Sequence, residues 1–540
     1  MPLLRSTVRK RLANMIAVES KNKRPTVIEA INRGFHAVNG AVDILFIFPP
    51  ATISDRYGKG SVGDAGGDLP PLGITCMAGF LRERGFGVGI LDGCALRLSH
   101  DQVLEVIKDK APRVIGISLT TYAIPAGLDL ARRIRQAFPD MLLVLGGAHA
   151  NAVKEQAAKD LPPVDLVVYG EGEYSTLEIL EAYRTKGFDR KAFLADDDKL
   201  KTIQGIVYRV GDAAIKTLPR PDIEDLDSLP LPARDLLPME WYLPLPNQYH
   251  RVPVIHMVVI RGCPYACSFC DQARTGGRMR SPQKTVEEVR HLVEQYGARE
   301  IAFWDDTMSF NKRWMREFCN QLIEAKLDVI WSCYAAVNTV DKPQLELMKK
   351  AGCWNIFYGY ETHVPELMKN MAIDRKNTSA DRIRQVTQWT KEAGIEIRGS
   401  FMLAIPGETP AMAEETIRFA IELDPEYAQF SITTPYPGTQ LYDEIQAGKW
   451  GKMTTNDFSQ FQGWNVVFLP EGYKDKEEVW AMEQKAFRSF YFRPRYIIKK
   501  FLAIRSWEDI KRYYKGLRLL VGGFAFGPMP EHVKSAAERA

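Results

Sequence analysis

At 540 residues, with 46% hydrophobic and 26% charged residues, the chain is long enough for roughly two to four globular domains. Its 71 basic and 67 acidic residues are interspersed and give a net charge of +4, which is too weak to indicate nucleic acid as a partner, and we expect none. Eight cysteines, three of them within eight positions, do not form a secreted disulfide framework, so we expect a cytoplasmic protein. No apolar run reaches the roughly 18 residues that a membrane span needs.

The first 41 residues are predicted as a basic helical leader. Residues 1–24 contain seven Lys or Arg and one acid. One interpretation is a solvated leader. The other is a helix that lies on the anionic inner surface of a membrane. Its apolar face would consist of Leu3, Leu4, Leu12, Met15 and Ile16.

Short apolar runs alternate with helical patterns over residues 42–190 and predict a doubly wound α/β domain of the flavodoxin-like, Rossmann type. Such sheets bind ligands beyond the carboxyl ends of their strands. The five predicted strands are 43–48, 88–91, 114–119, 142–147 and 165–170. The loops expected at the binding edge are 49–68, 120–125 and 146–151.

Residues 191–250 are predicted as a connecting segment, and the Pro-rich stretch 218–253 as a linker that runs over the surface. A second alternation over residues 251–440 predicts a partial (β/α)6 barrel. Residues 441–540 are mostly helical in pattern and are predicted to form a lid or packing layer. The barrel strands are predicted at 255–261, 300–305, 329–334, 355–361, 395–404 and 427–433.

The segment RGCPYACSFC places Cys263, Cys267 and Cys270 at spacings of four and three, directly after a predicted strand. Three soft thiolate ligands suit iron and sulfur. On a four-iron cluster, three cysteines leave one iron free to bind another molecule. A structural zinc site is the alternative, but it needs a fourth ligand, and the nearest histidine, His256, lies within the preceding strand.

This motif, with Phe269 before its last cysteine, resembles the signature of the radical S-adenosylmethionine superfamily. The resemblance implies a 4Fe-4S cluster that binds S-adenosylmethionine and cleaves it reductively to a 5'-deoxyadenosyl radical. The segments FWDDTMSF, GYE and IPGET also resemble this family. They imply that Asp305 and Asp306 lie near the amino group, Glu361 near the ribose, and Phe269 and Ile405 against the adenine. Taken alone, the Asp pair is also typical of a helix N-cap.

In the first domain, LPPLGITCMAGFLRERG, GISLTTY, LGGAHAN and YGEGE follow in the order that resembles the cobalamin-binding domains fused to radical S-adenosylmethionine enzymes. The segment after the second strand reads Asp92-Gly93-Cys94, without the histidine that ligates cobalt in many such domains. We therefore expect base-off cobalamin with no histidine ligand from the protein. A Cys94 thiolate ligand is a weaker alternative. The expected cobalamin contacts are Ser118, Thr120, Gly146, Gly147, His149, Gly170 and Glu171.

The paired domains imply hydrogen abstraction from an unactivated carbon followed by methyl transfer from methylcobalamin. A ring closure or rearrangement is the alternative, because the layout also resembles the anaerobic magnesium-protoporphyrin monomethyl ester cyclase. A cobalamin-sensing protein with a vestigial cluster is the non-enzymatic alternative. Methylthiotransferases carry three further cysteines in their first domain, whereas this domain has only Cys76 and Cys94.

The expected partners are an organic substrate (lipid, tetrapyrrole, natural product or peptide) and an electron donor such as flavodoxin or ferredoxin. The sequence does not identify a catalytic acid or base. Cys333, on the third barrel strand, is a candidate to face the cavity. Asp374, Arg375 and Lys376 form a charge run that either binds an acidic group or is simply a solvated face.

Overall fold

The computed structural model describes residues 24–51, 67–377, 379–504 and 506–527. Within these ranges the chain forms two parallel-sheet domains, an irregular segment between them and a mostly helical C-terminal region. Most of the predicted leader and most of the loop 49–68 lie outside the described residues. None of the described helices combines the length and the apolar character that crossing a bilayer requires.

The first sheet has eight strands: Phe35–His36 (β1), Ile44–Phe48 (β2), Val88–Asp92 (β3), Val114–Ser118 (β4), Leu142–Gly146 (β5), Leu166–Val168 (β6), Ile206–Val210 (β7) and Ala213–Lys216 (β8). Their spatial order is β1-β3-β2-β4-β5-β6-β7-β8. The central strands β3, β2, β4, β5 and β6 are parallel and correspond to the five predicted runs. They are buried along most of their length, because helices cover both faces of the sheet.

Two features of this domain extend it past the predicted limits of 42 and 190. Strand β1 pairs antiparallel with β3, and β7 and β8 form an antiparallel hairpin on the edge strand β6. Strand β8 is exposed or only partly buried at every position, so it lacks the apolar alternation that marks a strand in the sequence. The helices of this domain are Val27–Arg33, Leu72–Glu83, His100–Lys110, Ile124–Ala137, Ala148–Val153, Glu155–Asp160, Gly172–Thr185, Arg190–Leu194 and Asp197–Thr202.

The second domain contains a six-stranded parallel sheet: Val254–Met257 (β9), Glu300–Phe303 (β12), Ile330–Ala335 (β13), Cys353–Glu361 (β14), Glu396–Leu403 (β15) and Tyr427–Ile432 (β16). Its order is β16-β15-β14-β13-β12-β9, which confirms the predicted partial (β/α)6 barrel. The short strands Ile260–Arg261 (β10) and Arg278–Met279 (β11) pair across the cysteine loop. The helices are Pro282–Tyr296, Lys312–Ala325, Lys342–Lys350, Pro365–Asn370, Asp374–Asn377, Ala380–Glu392 and Pro410–Leu423.

The segment between β8 and β9 contains only three short 3-10 turns, and it runs over the surface only in its first part, where Leu218 is 73% exposed. Leu236 and Tyr242 are buried, and the Tyr242 hydroxyl donates to Asp92 of the first domain at 2.9 Å. Arg234 forms a buried ion pair of 2.7 Å with Glu288 of the second domain. The prediction of an exposed linker was therefore wrong for residues 233–246, because a high proline content disfavours helices and central strands without excluding burial.

The C-terminal region packs against the end of the barrel sheet. Phe487 and Phe490, on the helix Lys476–Tyr491, lie edge-on to Phe430 of β16 with ring centroids 5.5 and 6.2 Å away. This agrees with the expected packing layer. Its elements are Gln440–Gln446, Gly451–Met453 (β17), Phe468–Pro470 (β18), Lys476–Tyr491, Pro494–Leu502, Trp507–Leu519 and the π-helical turn Leu520–Ala525.

A candidate cofactor site between the two sheets

A cavity of about 990 Å³ opens between the two domains. One wall is formed by the carboxyl ends of β4, β5 and β6, and the opposite wall by the residues that follow β9 and β12. Ligands bind at this end of parallel sheets in both doubly wound and barrel folds. The two predicted binding edges therefore face one common space.

Five of the seven residues expected to contact cobalamin line this cavity: Ser118, Gly146, Gly147, Gly170 and Glu171. At Gly147 the backbone φ is 94°, and an added Cβ would lie 2.7 Å from the amide nitrogen of Leu119. A side chain there is therefore both strained and crowded. An added Cβ at Gly146 or Gly170 would meet no atom within 4 Å, so these two backbone segments are open to a bulky ligand.

His149 and Thr120 are not among the residues that line the cavity. The His149 ring is fully buried, 3.4 Å from the Thr121 hydroxyl and 3.1 Å from Asp160, with its edge against Phe458. The short helix that begins after Gly147 places this side chain inside the domain. The structure therefore does not bring His149 to the cavity, because both ring nitrogens lie against protein groups, and its contact with a corrin tail stays a prediction.

The segment after β3 also lies away from the cavity. Cys94 is buried and does not line it. The Asp92 carboxylate accepts hydrogen bonds from the Ala95 amide and the Tyr242 hydroxyl, both at 2.9 Å, and burial raises its pKa to about 6. Within the described part of the chain, no histidine lines the cavity.

The cysteine loop is held in place by hydrogen bonds from its own backbone. The amide of Cys263 donates to the Thr275 hydroxyl at 3.0 Å, and the amide of Ser268 donates to the Met371 carbonyl at 3.0 Å. Cys263 and Cys267 are buried, Cys270 is partly exposed, and all three are free thiols. Among the described residues, no three His, Cys, Asp or Glu side chains converge closely enough to hold a single metal ion. A 4Fe-4S cluster does not require ligands that converge on a single ion, because each thiolate binds a separate iron. Three free thiols on one anchored loop fit this requirement.

Asp305 ties the end of β12 to the start of the cysteine loop. Its Oδ1 accepts the amides of Val259 and Ile260 at 2.7 and 2.6 Å. Its Oδ2 is buried and has no hydrogen-bond partner among the described residues, and burial raises its pKa to about 7. The neighbouring Asp306 also lines the cavity. A buried, unpartnered carboxylate oxygen in a cavity wall is a fitting acceptor for a cationic donor on a ligand.

The alternative role of the Asp pair as a helix cap is wrong. The next helix, Lys312–Ala325, is capped by Asn311, whose side chain accepts from the amide of Trp314. Asp305 and Asp306 lie six and five residues before Asn311, so neither of them caps this helix.

Glu361 forms an ion pair with Lys376, with Nζ 2.9 Å from Oε1 and side chains only 8% and 15% exposed. An added Cβ at Gly359 would collide with both charged groups, so the glycine of GYE makes room for this pair. Lys376 lies close enough to the thiol of Cys267 to interact with it electrostatically. The interpretation of residues 374–376 as a solvated face is therefore wrong for Lys376, whereas Asp374 is exposed.

Phe269 and Ile405 belong to one apolar cluster with Cys267 and are not among the residues that line the cavity, so their contact with the adenine stays a prediction. The sequence analysis missed Glu408 of the IPGET segment. Its buried carboxylate accepts from the Ala404 amide and, at 2.7 Å, from the Tyr473 hydroxyl, and burial raises its pKa to about 8. The feature of the sequence that could have indicated this residue is the acid in the IPGET motif, whose carboxylate holds the turn after β15.

The sequence analysis also missed a set of ion pairs across the cavity mouth. Arg261, two residues before Cys263, contacts Glu173 at 2.6 Å and Glu171 at 3.1 Å in the first domain. Arg278 contacts Glu171 at 3.0 Å. Burial raises the pKa of Glu171, but the hydrogen bond from Arg278 and the charge of Arg261 outweigh it and hold the pKa below its usual value. Glu171 is thus engaged in joining the domains.

Cys333 does not face the cavity. It is fully buried in the main apolar core of the second domain together with Cys319 and Cys353, and it is not among the cavity-lining residues. Cys319 lies on the helix Lys312–Ala325, so this group belongs to the layer between sheet and helices. The idea that Cys333 faces the cavity was therefore wrong.

Comparison with known proteins matches both domains to families. The B12 binding domain model matches residues 58–180, and the Radical SAM superfamily model matches residues 257–420. The chain is 31% identical over 483 residues to an uncharacterized methyltransferase of Pyrococcus horikoshii, covering 88% of this chain and 97% of the relative. It is 29% identical over 475 residues to the anaerobic magnesium-protoporphyrin IX monomethyl ester cyclase of Rubrivivax gelatinosus, covering 87% and 80%.

The fold is also similar to a solved structure. The cobalamin-dependent S-adenosylmethionine radical enzyme OxsB superposes with a TM-score of 0.65 at 14% identity, covering 89% of this chain and 71% of that one. At this identity the likeness concerns the fold. Together with the two domain matches and the relative that spans nearly the whole chain, it confirms the expected architecture. The chain belongs to the family of cobalamin-dependent radical S-adenosylmethionine methyltransferases, of which the cyclase is a related member.

Proposed function

We propose that the protein transfers a methyl group to an unactivated carbon of an organic substrate. When bound, the cluster with S-adenosylmethionine supplies a 5'-deoxyadenosyl radical, and cobalamin supplies the methyl group. The observation that carries the proposal is the single cavity of about 990 Å³ with walls from both domains. A substrate held in one shared cavity is accessible to both cofactor domains, so the chain supplies positioning and keeps water away.

In this proposal Cys263, Cys267 and Cys270 hold the cluster on the anchored loop. The unpartnered Oδ2 of Asp305, with Asp306 beside it, accepts the amino group of S-adenosylmethionine. Glu361, fixed by Lys376, accepts from the ribose. Phe269 and Ile405 supply the apolar surface for the adenine. The burial of these groups, together with their anchoring, supports the assignment, because pre-positioned groups lose little entropy on binding.

Cobalamin is proposed to lie on the wall of Ser118, Gly146, Gly147 and Gly170, base-off and without a histidine ligand from the protein. Two observations support this state. The cavity wall has no histidine among the described residues. The cavity also continues between β2 and the helix Leu72–Glu83, where Phe46, Ile74 and Met77 line it, which provides an apolar space for the displaced base.

The proposed substrate is a lipid or a tetrapyrrole. The chain is 26% identical over 428 residues to the hopanoid C-3 methylase of Methylococcus capsulatus, a relative whose name denotes a lipid, and the cyclase is named for a tetrapyrrole. Ring closure is the second candidate reaction, favoured by the similarity to the cyclase over 87% of this chain. Reducing electrons are proposed to come from a flavodoxin or ferredoxin.

The test is product analysis with the anaerobically reconstituted full-length protein and candidate substrates. We expect deoxyadenosine, S-adenosylhomocysteine and a product heavier by one methylene. Cys263→Ala should lose both the cluster absorbance and deoxyadenosine formation, whereas the matched control Cys94→Ala should retain both, because Cys94 is a buried cysteine of the first domain and is not part of the cysteine loop. Deoxyadenosine with an oxidised product and no S-adenosylhomocysteine would establish ring closure instead. Cobalamin binding without cleavage of S-adenosylmethionine at any substrate would favour a binding protein.

A further inference from the structure

The exposed apolar side chains of the protein are concentrated near its C-terminus. Of the eighteen large hydrophobic residues that are exposed in the described ranges, eleven lie between residues 492 and 526. We call them the C-terminal apolar patch: Phe492, Ile497, Ile498, Phe501, Leu502, Trp507, Ile510, Tyr514, Leu517, Val521 and Phe526. Single exposed apolar side chains are normal on a protein surface, but a concentration of this kind marks a surface that binds another protein or a membrane.

The patch follows the geometry of two helices. On the helix Trp507–Leu519 and the turn after it, the exposed apolar residues recur at intervals of three and four, at positions 507, 510, 514, 517 and 521, which places them on one face. On Pro494–Leu502 the exposed residues 497, 498, 501 and 502 also share one face. Phe501, near the end of the first helix, and Trp507, at the start of the second, are 72% and 65% exposed.

The opposite faces of both helices are attached to the barrel. The Tyr496 hydroxyl donates to the Glu426 carbonyl at 3.0 Å, and the Lys500 ammonium lies 3.8 Å from the centre of the Tyr427 ring. On the second helix, Arg512 donates to the Tyr249 carbonyl at 2.8 Å. The helices are therefore held by one side, and their apolar side is turned away from the rest of the described chain.

Charge identifies the kind of surface that fits. Residues 492–526 contain nine Lys or Arg and two acids, a net charge of +7, whereas the whole chain carries +4. Arg495, Lys511 and Arg518 are exposed beside the apolar residues. One of the two acids, Asp509, is bound by Arg512 at 3.0 Å. An apolar face flanked by basic residues and containing Trp and Tyr is the composition of helices that lie in an anionic membrane interface.

The same charge disfavours two other occupants. Arg493 and Lys499 are paired with Asp424 and Glu426 of the barrel, but a second copy of the chain would still bring the exposed Arg495, Lys511 and Arg518 against the same cations. Residues 1–24 also carry seven basic residues and one acid, so the leader would be repelled as well. An anionic lipid surface has neither disadvantage, because it offers negative charge and an apolar interior together.

We infer that the C-terminal apolar patch docks the protein on an anionic membrane surface, with Ile497, Phe501, Trp507 and Tyr514 inserted among the lipids. The inference does not depend on the proposed reaction. It would place the protein on the surface that holds substrates which partition into membranes.

The test is co-sedimentation of the full-length protein with vesicles of phosphatidylcholine alone or with phosphatidylglycerol. We expect binding to the mixed vesicles that weakens with salt, and weak binding to the neutral ones. The double variant I497S/F501S should bind about tenfold more weakly, since two inserted side chains are lost. The matched control is Leu218→Ser, because Leu218 is 73% exposed on the first domain, outside the patch.

A second measurement tests directly whether Trp507 inserts among the lipids, independently of the affinity of the protein for the vesicles. Trp507 fluorescence, taken as the difference between wild type and W507F, should be quenched by brominated lipids. Unchanged vesicle binding in I497S/F501S, an equal loss in L218S, or no quenching of Trp507 would overturn the inference. A dimer in sedimentation velocity that I497S/F501S converts to a monomer would assign the patch to self-association and overturn it as well.

Discussion

Lys376 donates to the carboxylate of Glu361 over 2.9 Å in a buried position beside Cys267. Replacing Lys376 with Met leaves the Glu361 charge buried and uncompensated, which costs about 3–5 kcal/mol when a buried pair is broken. We expect K376M to lower the apparent Tm and to weaken binding of S-adenosylmethionine measured by calorimetry. The double variant E361Q/K376M should recover much of the Tm, because it removes the unpaired charge. Additive losses in the double variant would contradict a direct pair.

Gly359→Ala tests the space that this pair requires. The added Cβ would meet the carboxylate of Glu361 and the ammonium of Lys376, so the pair must separate or the bulge of β14 must shift. We expect a loss of about 1–3 kcal/mol, typical of overpacking, seen as a lower apparent Tm. The control is Gly516→Ala on the helix Trp507–Leu519, where an added Cβ meets nothing within 4 Å. G516A should be neutral or stabilising by up to about 1 kcal/mol, and an equal loss in both variants would contradict the steric explanation.

Glu300 predicts a pH dependence of stability. This buried carboxylate accepts from the amides of His250 and Arg251 and from the Trp354 ring, but burial raises its pKa to about 7. Its native pKa lies above the unfolded value of about 4.5, so the folded state keeps a proton that the unfolded state has lost. Stability should therefore fall as the pH rises from about 5 to about 7, by at most about 3 kcal/mol from this group.

Asp305 and Glu408, with pKa values raised to about 7 and about 8, act in the same direction. The measurement is the apparent Tm against pH. E300Q should show a flatter slope than wild type over this window, because the amide does not titrate. The control D381N removes a carboxylate that is 94% exposed and should keep the wild-type slope. Parallel slopes for E300Q and wild type would contradict the prediction.

Arg261→Met tests the ion pairs that join the domains at the cavity mouth. The variant leaves Glu173 and Glu171 without this partner and removes a tie between the cysteine loop and the cobalamin wall. We expect cobalamin affinity, measured by equilibrium dialysis, to fall about tenfold, or about 1.4 kcal/mol. The control R384M breaks the exposed pair with Glu422 and should bind cobalamin like wild type. R261K should recover only part of the loss, because a single ammonium does not reproduce the fork that contacts two carboxylates.

The helices and strands that could be predicted from the sequence are those whose buried residues form a short, recognisable run or repeat of apolar side chains. The five central strands of the first sheet and the six strands of the barrel are apolar runs of strand length, and the chain alternates them with amphipathic helices. The residues at strand ends, such as Ser118, Gly146 and Asp305, were placed correctly at the cavity because topology brings parallel strand ends to one edge. The binding roles of these residues stay predictions.

The misplaced residues are those whose environment is set by distant partners. His149 turns inward because Asp160 and Phe458 receive its ring, and Phe458 lies over 300 positions away. Lys376 looked like part of a surface charge run, yet Glu361 draws it inside. Hydrophobic periodicity does not predict such long-range contacts, because a single charged or aromatic side chain does not form a repeating pattern.

The segment between β8 and β9 has a consequence for recombining such proteins. Ala233 and Leu236 pack in an apolar cluster of the first domain, where Tyr242 also donates to Asp92, while Arg234 pairs with Glu288 of the second domain. A chimera that joins the front half of one homologue to the back half of another through a cut inside this stretch therefore mismatches its contacts with the two domains. Junctions at Lys216 and Val254, with the whole intervening segment matched to its native neighbours, preserve the contacts of this segment as well as the two domains.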